Sequence, residues 1–171
     1  VAIAVATALA LGKPVGILGA SWLVVKLGWC RFPAGVSWRE VTLVGLLAGI
    51  GQASGARCVI VVDDSGIEAG ALQPMGLEKF QRAQQLSLEN GLPFLHLVES
   101  AGANLLRYRV EDFIFGGSHY ARLARLSAAG IPVLTIVHGS ATAGGAYMPG
   151  MSDFVVMVRD RARAFLAGPP L

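Results

Sequence analysis

The chain has 171 residues, 54% hydrophobic and 15% charged, which is enough apolar material for one packed domain and excludes a disordered tail. Its 14 Lys and Arg against 11 Asp and Glu leave a net charge of +3 with no block of like charge, so no nucleic-acid partner is expected. Cys30 and Cys58 have neither paired nor metal-ligand spacing, which predicts a reduced chain without disulfides or a metal centre.

Residues 1–44 are rich in Ala, Val and Gly, carry Trp22, Trp29 and Trp38, and show no clear period. They form an unassigned segment ahead of the domain at 45–171. The mean hydropathy of +0.58 raises the question of a membrane. The longest apolar runs, Val1 to Gly12 and Val15 to Val25, are parted by Lys13-Pro14. Each is shorter than the roughly 20 residues of a spanning helix, so no membrane contact is expected. The chain starts at Val1 with no basic region and no cleavage site, which reads as a piece of a longer protein without a signal peptide.

From Val41 onward strands and helices alternate. Val41 to Ile50 and Cys58 to Val62 are β-rich runs on either side of Ser54-Gly55, which predicts a hairpin. Met75 to Asn90 carries apolar residues three and four apart and ends at Asn90-Gly91, the pattern of a helix with a glycine stop. Pro93 opens a buried strand over Phe94 to Val98, and Glu99 to Asn104 follows as a loop. Ser118 to Ala129 reads as a second helix, capped by Ser118 and closed by Gly130. His119 is expected on its exposed side, and Glu111 and Asp112 in the loop before it. Val133 to Val137 is a further buried strand, Gly139 to Gly150 a small-residue stretch with a short helix, and Phe154 to Val158 a last strand. Continuous apolar strands alternating with helices argue for an α/β protein, its parallel sheet covered on both faces.

Two stretches after buried strands are candidates for chemistry. One is Glu99-Ser100-Ala101-Gly102-Ala103-Asn104; the other runs from His138 through Ala143-Gly144-Gly145-Ala146. Ligands of parallel sheets sit at the carboxyl ends of strands. Tiny side chains there let a ligand reach the backbone, and N–H groups at a helix start can hold a developing oxyanion. The same small residues would equally serve tight strand–helix packing. A serine nucleophile is disfavoured, since Ser140 lacks the second glycine of Gly-x-Ser-x-Gly. His96 falls inside an apolar strand and reads as a core residue. His138 ends a strand, where packing is favoured over a site role. Gly-x-Gly-x-x-Gly and Walker A patterns are absent, which argues against a dinucleotide or ATP.

Taken jointly, Cys58 to Asp64, Arg82-Ala83-Gln84, Leu97 to Leu105, Gly139 to Asp153 and Phe165 to Pro170 resemble the β subunits of biotin-dependent acyl-CoA carboxylases. The branch that handles methylcrotonyl-CoA and geranyl-CoA is the most similar. The resemblance runs over about residues 45 to 171. Glu99 and Ala101 replace the usual Asp and first Gly of the first loop, and Glu68-Ala69-Gly70 stands where many of the branch carry Lys-Gly-Gly. The resemblance implies a crotonase-like (ClpP/crotonase) fold, a parallel sheet with flanking helices. It implies carboxyl transfer from carboxybiotin to an acyl-CoA through a thioester enolate, with biotin itself taking the proton. Gly144 and Gly145 match the pair that holds the thioester oxygen, while Ala101, Gly102, Ala103, Ala143 and Ala146 match the pocket lining. It further implies biotin on a partner carrier domain, acyl-CoA as substrate and no metal in this region. The partners would be a biotin carboxylase/biotin carrier α subunit and further β subunits, in the cytoplasm or, in a eukaryote, the mitochondrial matrix. The alternatives are a crotonase-fold hydratase, isomerase or thioesterase, with Glu99 as the candidate base, and an inactive fragment or assembly module.

Overall fold

The computed structural model describes residue 26 and residues 45–103 and 109–167. The chain divides into two compact units, Val1–Val44 and Gly45–Leu171, and the elements below all belong to the second. The readings made of Val41 to Val44, Cys30, Asn104 and the three tryptophans lie outside the described residues.

Two extended runs open the unit, β1 (Leu46–Ala53) and β2 (Ala56–Asp63). They pair antiparallel from Leu46↔Asp63 to Ala53↔Ala56. Ser54 and Gly55 both have positive φ, 49° and 81°, the backbone of a two-residue hairpin turn whose twist matches its strands. A single 3-10 turn at Glu68–Gly70 leads to α1 (Pro74–Asn90). Pro74 sits in the first turn, where no N–H is needed. Gly91 closes the helix at φ 61°, and Leu92 N–H donates back to Ser87 O at 3.0 Å. Next come β3 (Phe94–Ser100), α2 (Val110–Ala128), β4 (Val133–Thr142), α3 (Gly144–Gly150), β5 (Phe154–Met157) and β6 (Arg163–Phe165). Strand order is β1-β2-β3-β4-β5, with β6 also paired to β4. Every pairing except β1–β2 is parallel. The ten residues of β4 serve β5 with Leu134–Val137 and β6 with Ser140–Thr142.

The core lies between the helices and one face of this sheet. Phe80 of α1 packs edge-on to Phe94 and His96 of β3 and to His119 of α2, with ring centroids 4.9–5.5 Å apart. Val59, Val61, Val98, Val133 and Val137 complete the layer, each at most 1% exposed. Burying such side chains contributes roughly 1.5–3 kcal/mol apiece.

Three expectations need correction. Among the described residues, α1, α2 and α3 all pack on the same face, so the sheet is not covered by described helices on both. The opposite face carries two apolar rows running across the register. One is Leu47–Val62–Leu97–Ile136–Val156; the other is Ile60–Leu95–Leu134–Phe154. Leu47, Val156 and Phe154 are 46%, 57% and 61% exposed, and the others are half-buried.

The second helix starts at Val110, eight residues before Ser118. Gly116 is the place where two helices touch. A Cβ there would lie 2.6 Å from Leu77 Cδ2. Ser118 is therefore no cap, and its hydroxyl donates to Phe115 O and accepts from Gln81 Nε2. Glu111 and Asp112 lie in the first helical turn, where carboxylates complement the helix dipole. His119 is the third correction. It is 3% exposed and fully within the core.

Candidate active site

The end of β4 and the start of α3 form one continuous strand-to-helix turn, because β4 runs on to Thr142, five residues past the expected end. Ala143 makes the turn with φ 48° and ψ −116°, a backbone state that strains any residue bearing a Cβ. Its N–H donates to Phe165 O at 3.0 Å, so β6 anchors it from the side. Ala146 N–H donates to Ala143 O at 2.9 Å. Among the described residues, the N–H groups of Gly144 and Gly145 have no acceptor. The first N–H groups of a helix have no partner within it, and here two of them are consecutive.

The first loop meets this turn directly. Gly102 has φ 86°, and a Cβ on it would fall 2.8 Å from Thr142 O, 3.4 Å from Ala143 Cβ and 3.6 Å from Gly144 N. Only glycine combines that φ with that approach. The two stretches picked out by composition therefore stand side by side. They differ in what they offer. Ala101 N–H donates to Ala69 O at 2.9 Å and Gly102 N–H to Ser100 Oγ at 3.1 Å. These two N–H groups are used inside the protein, so the loop is a wall of the site, and Ala101 and Ala103 are exposed on it. Ser100 is the rivet. It is 3% exposed, and its hydroxyl donates to Gly70 O at 2.7 Å while accepting from Gly102.

Packing requires the glycines of α3. A Cβ at Gly145 would lie 2.9 Å from Ser100 Cβ, and one at Gly144 would lie 2.8 Å from the Tyr120 hydroxyl. The closest approach of α3 to β3 and α2 thus depends on bare backbone at both positions.

The charged and imidazole side chains near these strands lie elsewhere. His96 Nε2 and Asp63 Oδ1 are 3.1 Å apart, both buried, on the helix-covered face. His119 bonds through Nδ1 to Gly116 O, and burial lowers its pKa to about 4 from 6.5. His138 Nδ1 is 3.3 Å from Glu99 Oε2. Along β3, burial alternates, so Glu99 points to the face opposite Ser100. Its carboxylate rests against Gly139, in the space that a side chain there would take. The candidate base of the hydratase reading therefore faces away from the Ser100–Gly145 contact. Ser140 is exposed on β4. Arg159 and Arg161 lie in the turn before β6, and Arg163 is on that strand.

One residue bonded to this turn escaped sequence reading. Tyr120 of α2 donates its hydroxyl hydrogen to Gly144 O at 2.8 Å, and its ring meets Tyr147 edge-on with centroids 5.7 Å apart. Nothing in the local pattern of α2 marks it.

An α/β sheet with flanking helices and a bare-backbone turn after its fourth strand defines the class: the fold is crotonase-like. Within that class, residues 33–171 match the carboxyl transferase domain family, and the chain belongs to it. It is 52% identical over 126 residues to the probable biotin-dependent acyl-coenzyme A carboxylase beta2 subunit of Mycobacterium tuberculosis, covering 74% of this chain and 24% of that protein. The geranyl-CoA carboxylase beta subunit of P. aeruginosa superposes with a TM-score of 0.69 at 53% identity, over 74% of this chain and 24% of that one. The chain thus spans about a quarter of the carboxylase relatives it matches. Residues 1–54 match a second family, Na+/H+ antiporter 1. They include a stretch 65% identical over 51 residues to the Na(+)/H(+) antiporter NhaA 2 of Pseudomonas putida, covering 30% of this chain and 11% of that protein. The sequence reading of residues 1–44 did not anticipate that likeness. Among the described residues no helix is long and apolar enough to cross a membrane.

Proposed function

We propose that this domain binds the thioester of an acyl-CoA in the carboxyltransferase half-reaction of a biotin-dependent carboxylase, as residues 45–171 of a larger β subunit. The observation that carries the proposal is the pair of consecutive N–H groups of Gly144 and Gly145 without an acceptor among the described residues, set against the Gly102 wall. Both donors suit the thioester oxygen, and they strengthen as it becomes an enolate oxyanion, because fixed donors need no reorganisation when charge develops. Ala101, Gly102, Ala103, Ala143 and Ala146 line the approach and leave room for the acyl group. Carboxybiotin, carried on the biotin-bearing domain of an α partner, supplies the carboxyl group when bound. This chain's part is to hold the thioester, flatten it toward the enolate and keep water from the carbonyl. The reading extends to an assembly of several β subunits, located in the cytoplasm or, in a eukaryote, the mitochondrial matrix.

The test is fixation of labelled bicarbonate into 3-methylcrotonyl-CoA or geranyl-CoA by the complete subunit with its biotin-carrying partner. Biotin-dependent label in the acyl-CoA is the expected result. A complete, folded subunit that binds neither thioester defeats the proposal.

A further inference from the structure

The peptide unit joining Gly144 and Gly145 has two ends. Its N–H, on Gly145, is one of the two donors assigned above. Its C=O, on Gly144, accepts the hydroxyl hydrogen of Tyr120 at 2.8 Å. We infer that Tyr120 is a positioning residue, which orients and polarises the Gly144–Gly145 peptide so that the Gly145 N–H is a stronger donor to the thioester oxygen. The inference rests on the thioester-binding reading proposed above and adds to it the residue that sets its strength.

Three observations carry it. First, the contact is enforced from both sides. The Tyr120 hydroxyl stands 2.8 Å from where a Cβ on Gly144 would be, so it lies close against this backbone on one side. On its far side Gly145 is pressed against Ser100, which is itself bonded to Gly70 and Gly102. Secondly, the phenol has a fixed seat. Its ring lies against His119, with centroids 3.8 Å apart, and edge-on to Tyr147 one turn along α3. Thirdly, the group stays a donor. Burial, followed by the neighbouring Tyr147, raises its pKa to about 12 from 10.0, so it keeps its proton across the whole neutral and mildly alkaline range. A hydrogen bond accepted at the carbonyl end of a peptide draws charge from the nitrogen end. Coupled bonds of this kind strengthen one another by about 10–30% each.

The experiment replaces Tyr120 by Phe in the complete, assembled subunit, which keeps the ring and removes only the hydroxyl. The direct readout is the infrared carbonyl stretch of bound 3-methylcrotonyl-CoA labelled with 13C at the thioester carbon. In the wild type the stretch moves to lower frequency on binding, and Y120F loses part of that displacement while binding the thioester with unchanged affinity. Carboxylation then falls about three- to tenfold in kcat with KM within twofold, the size of one ordinary hydrogen bond. Site-specific 3-fluorotyrosine, a more acidic phenol of nearly the same shape, increases the displacement. A wild type that binds the thioester without moving the stretch overturns the oxyanion reading, and this inference with it. A wild type that moves it, beside a Y120F protein that moves it equally, overturns the inference about Tyr120 alone. If Y120F fails to fold, the fluorotyrosine protein decides by the same measurement, and an unchanged stretch refutes the role.

Discussion

Replacing Gly145 by Ala tests whether the position of α3 sets the site. The added Cβ would stand 2.9 Å from Ser100 Cβ and 3.2 Å from both Ser100 O and Oγ. Carbon atoms rest at about 3.5–4.0 Å, so helix and strand have to part by roughly 0.6–1.1 Å. Ser100 cannot turn aside, because its hydroxyl is held by Gly70 O and Gly102 N–H. Overpacking of this kind costs about 1–3 kcal/mol of stability. On the proposed thioester reading, the same displacement carries the Gly145 N–H off the thioester oxygen, and loss of one such donor lowers the rate by about 10²–10³. Ser100→Gly removes the obstructing carbon at the expense of two hydrogen bonds. In that background Gly145→Ala should cost little further, giving a favourable coupling of about 1–2 kcal/mol between the two sites. Urea unfolding and carboxylation by the assembled subunit supply the four corners of the cycle. Strictly additive losses, or a Gly145→Ala protein with wild-type rate and stability, would refute the claim that this contact positions the donor.

Acid should weaken the fold through His119. Its pKa in the folded state, about 4 against 6.5, means the unfolded chain takes up a proton first as pH falls. The stability it contributes is complete above pH 6.5 and declines between pH 6.5 and 4, by up to about 3 kcal/mol. Urea midpoints at pH 4.5 and 7.5 measure this, and His119→Phe should flatten the difference. Ala143→Gly should stabilise the fold by about 1 kcal/mol, because glycine relieves a strain of about 1–3 kcal/mol at φ 48° and loses about 0.5–1 kcal/mol of it again in backbone entropy. A less stable Gly variant in urea would show that the turn is not strained.

The sequence reading was strongest where one local signal decided the outcome. Ser54-Gly55 named its turn because two left-handed residues in succession suit few side chains. Asn90-Gly91 stopped α1 for the same reason. The two small-residue stretches were found by composition, and their adjacency comes from the parallel β3–β4 pairing, within a sheet whose parallel character the strand pattern predicted. Ser118 misled because its cap chemistry is spent elsewhere, on Phe115 O and Gln81 Nε2. His119 misled because which side of a helix is buried depends on its partner, here Phe80 from α1. Tyr120 was out of reach altogether. Its role exists only through a bond to a residue 24 positions away, and no spacing along α2 encodes that.

Strand β1 lies within both matched stretches, residues 1–54 and residues 33–171. It stands at the sheet edge, held in an antiparallel ladder to β2 and two places from β3. A backbone ladder asks little of side-chain identity at an edge that is largely open, as Leu47 and Ile50 are at 46% and 53% exposure. The consequence concerns ancestry. A change of sequence source inside β1 leaves β3, β4 and α3 untouched, so the outermost strand can differ while the Ala143–Gly145 turn keeps its own sequence.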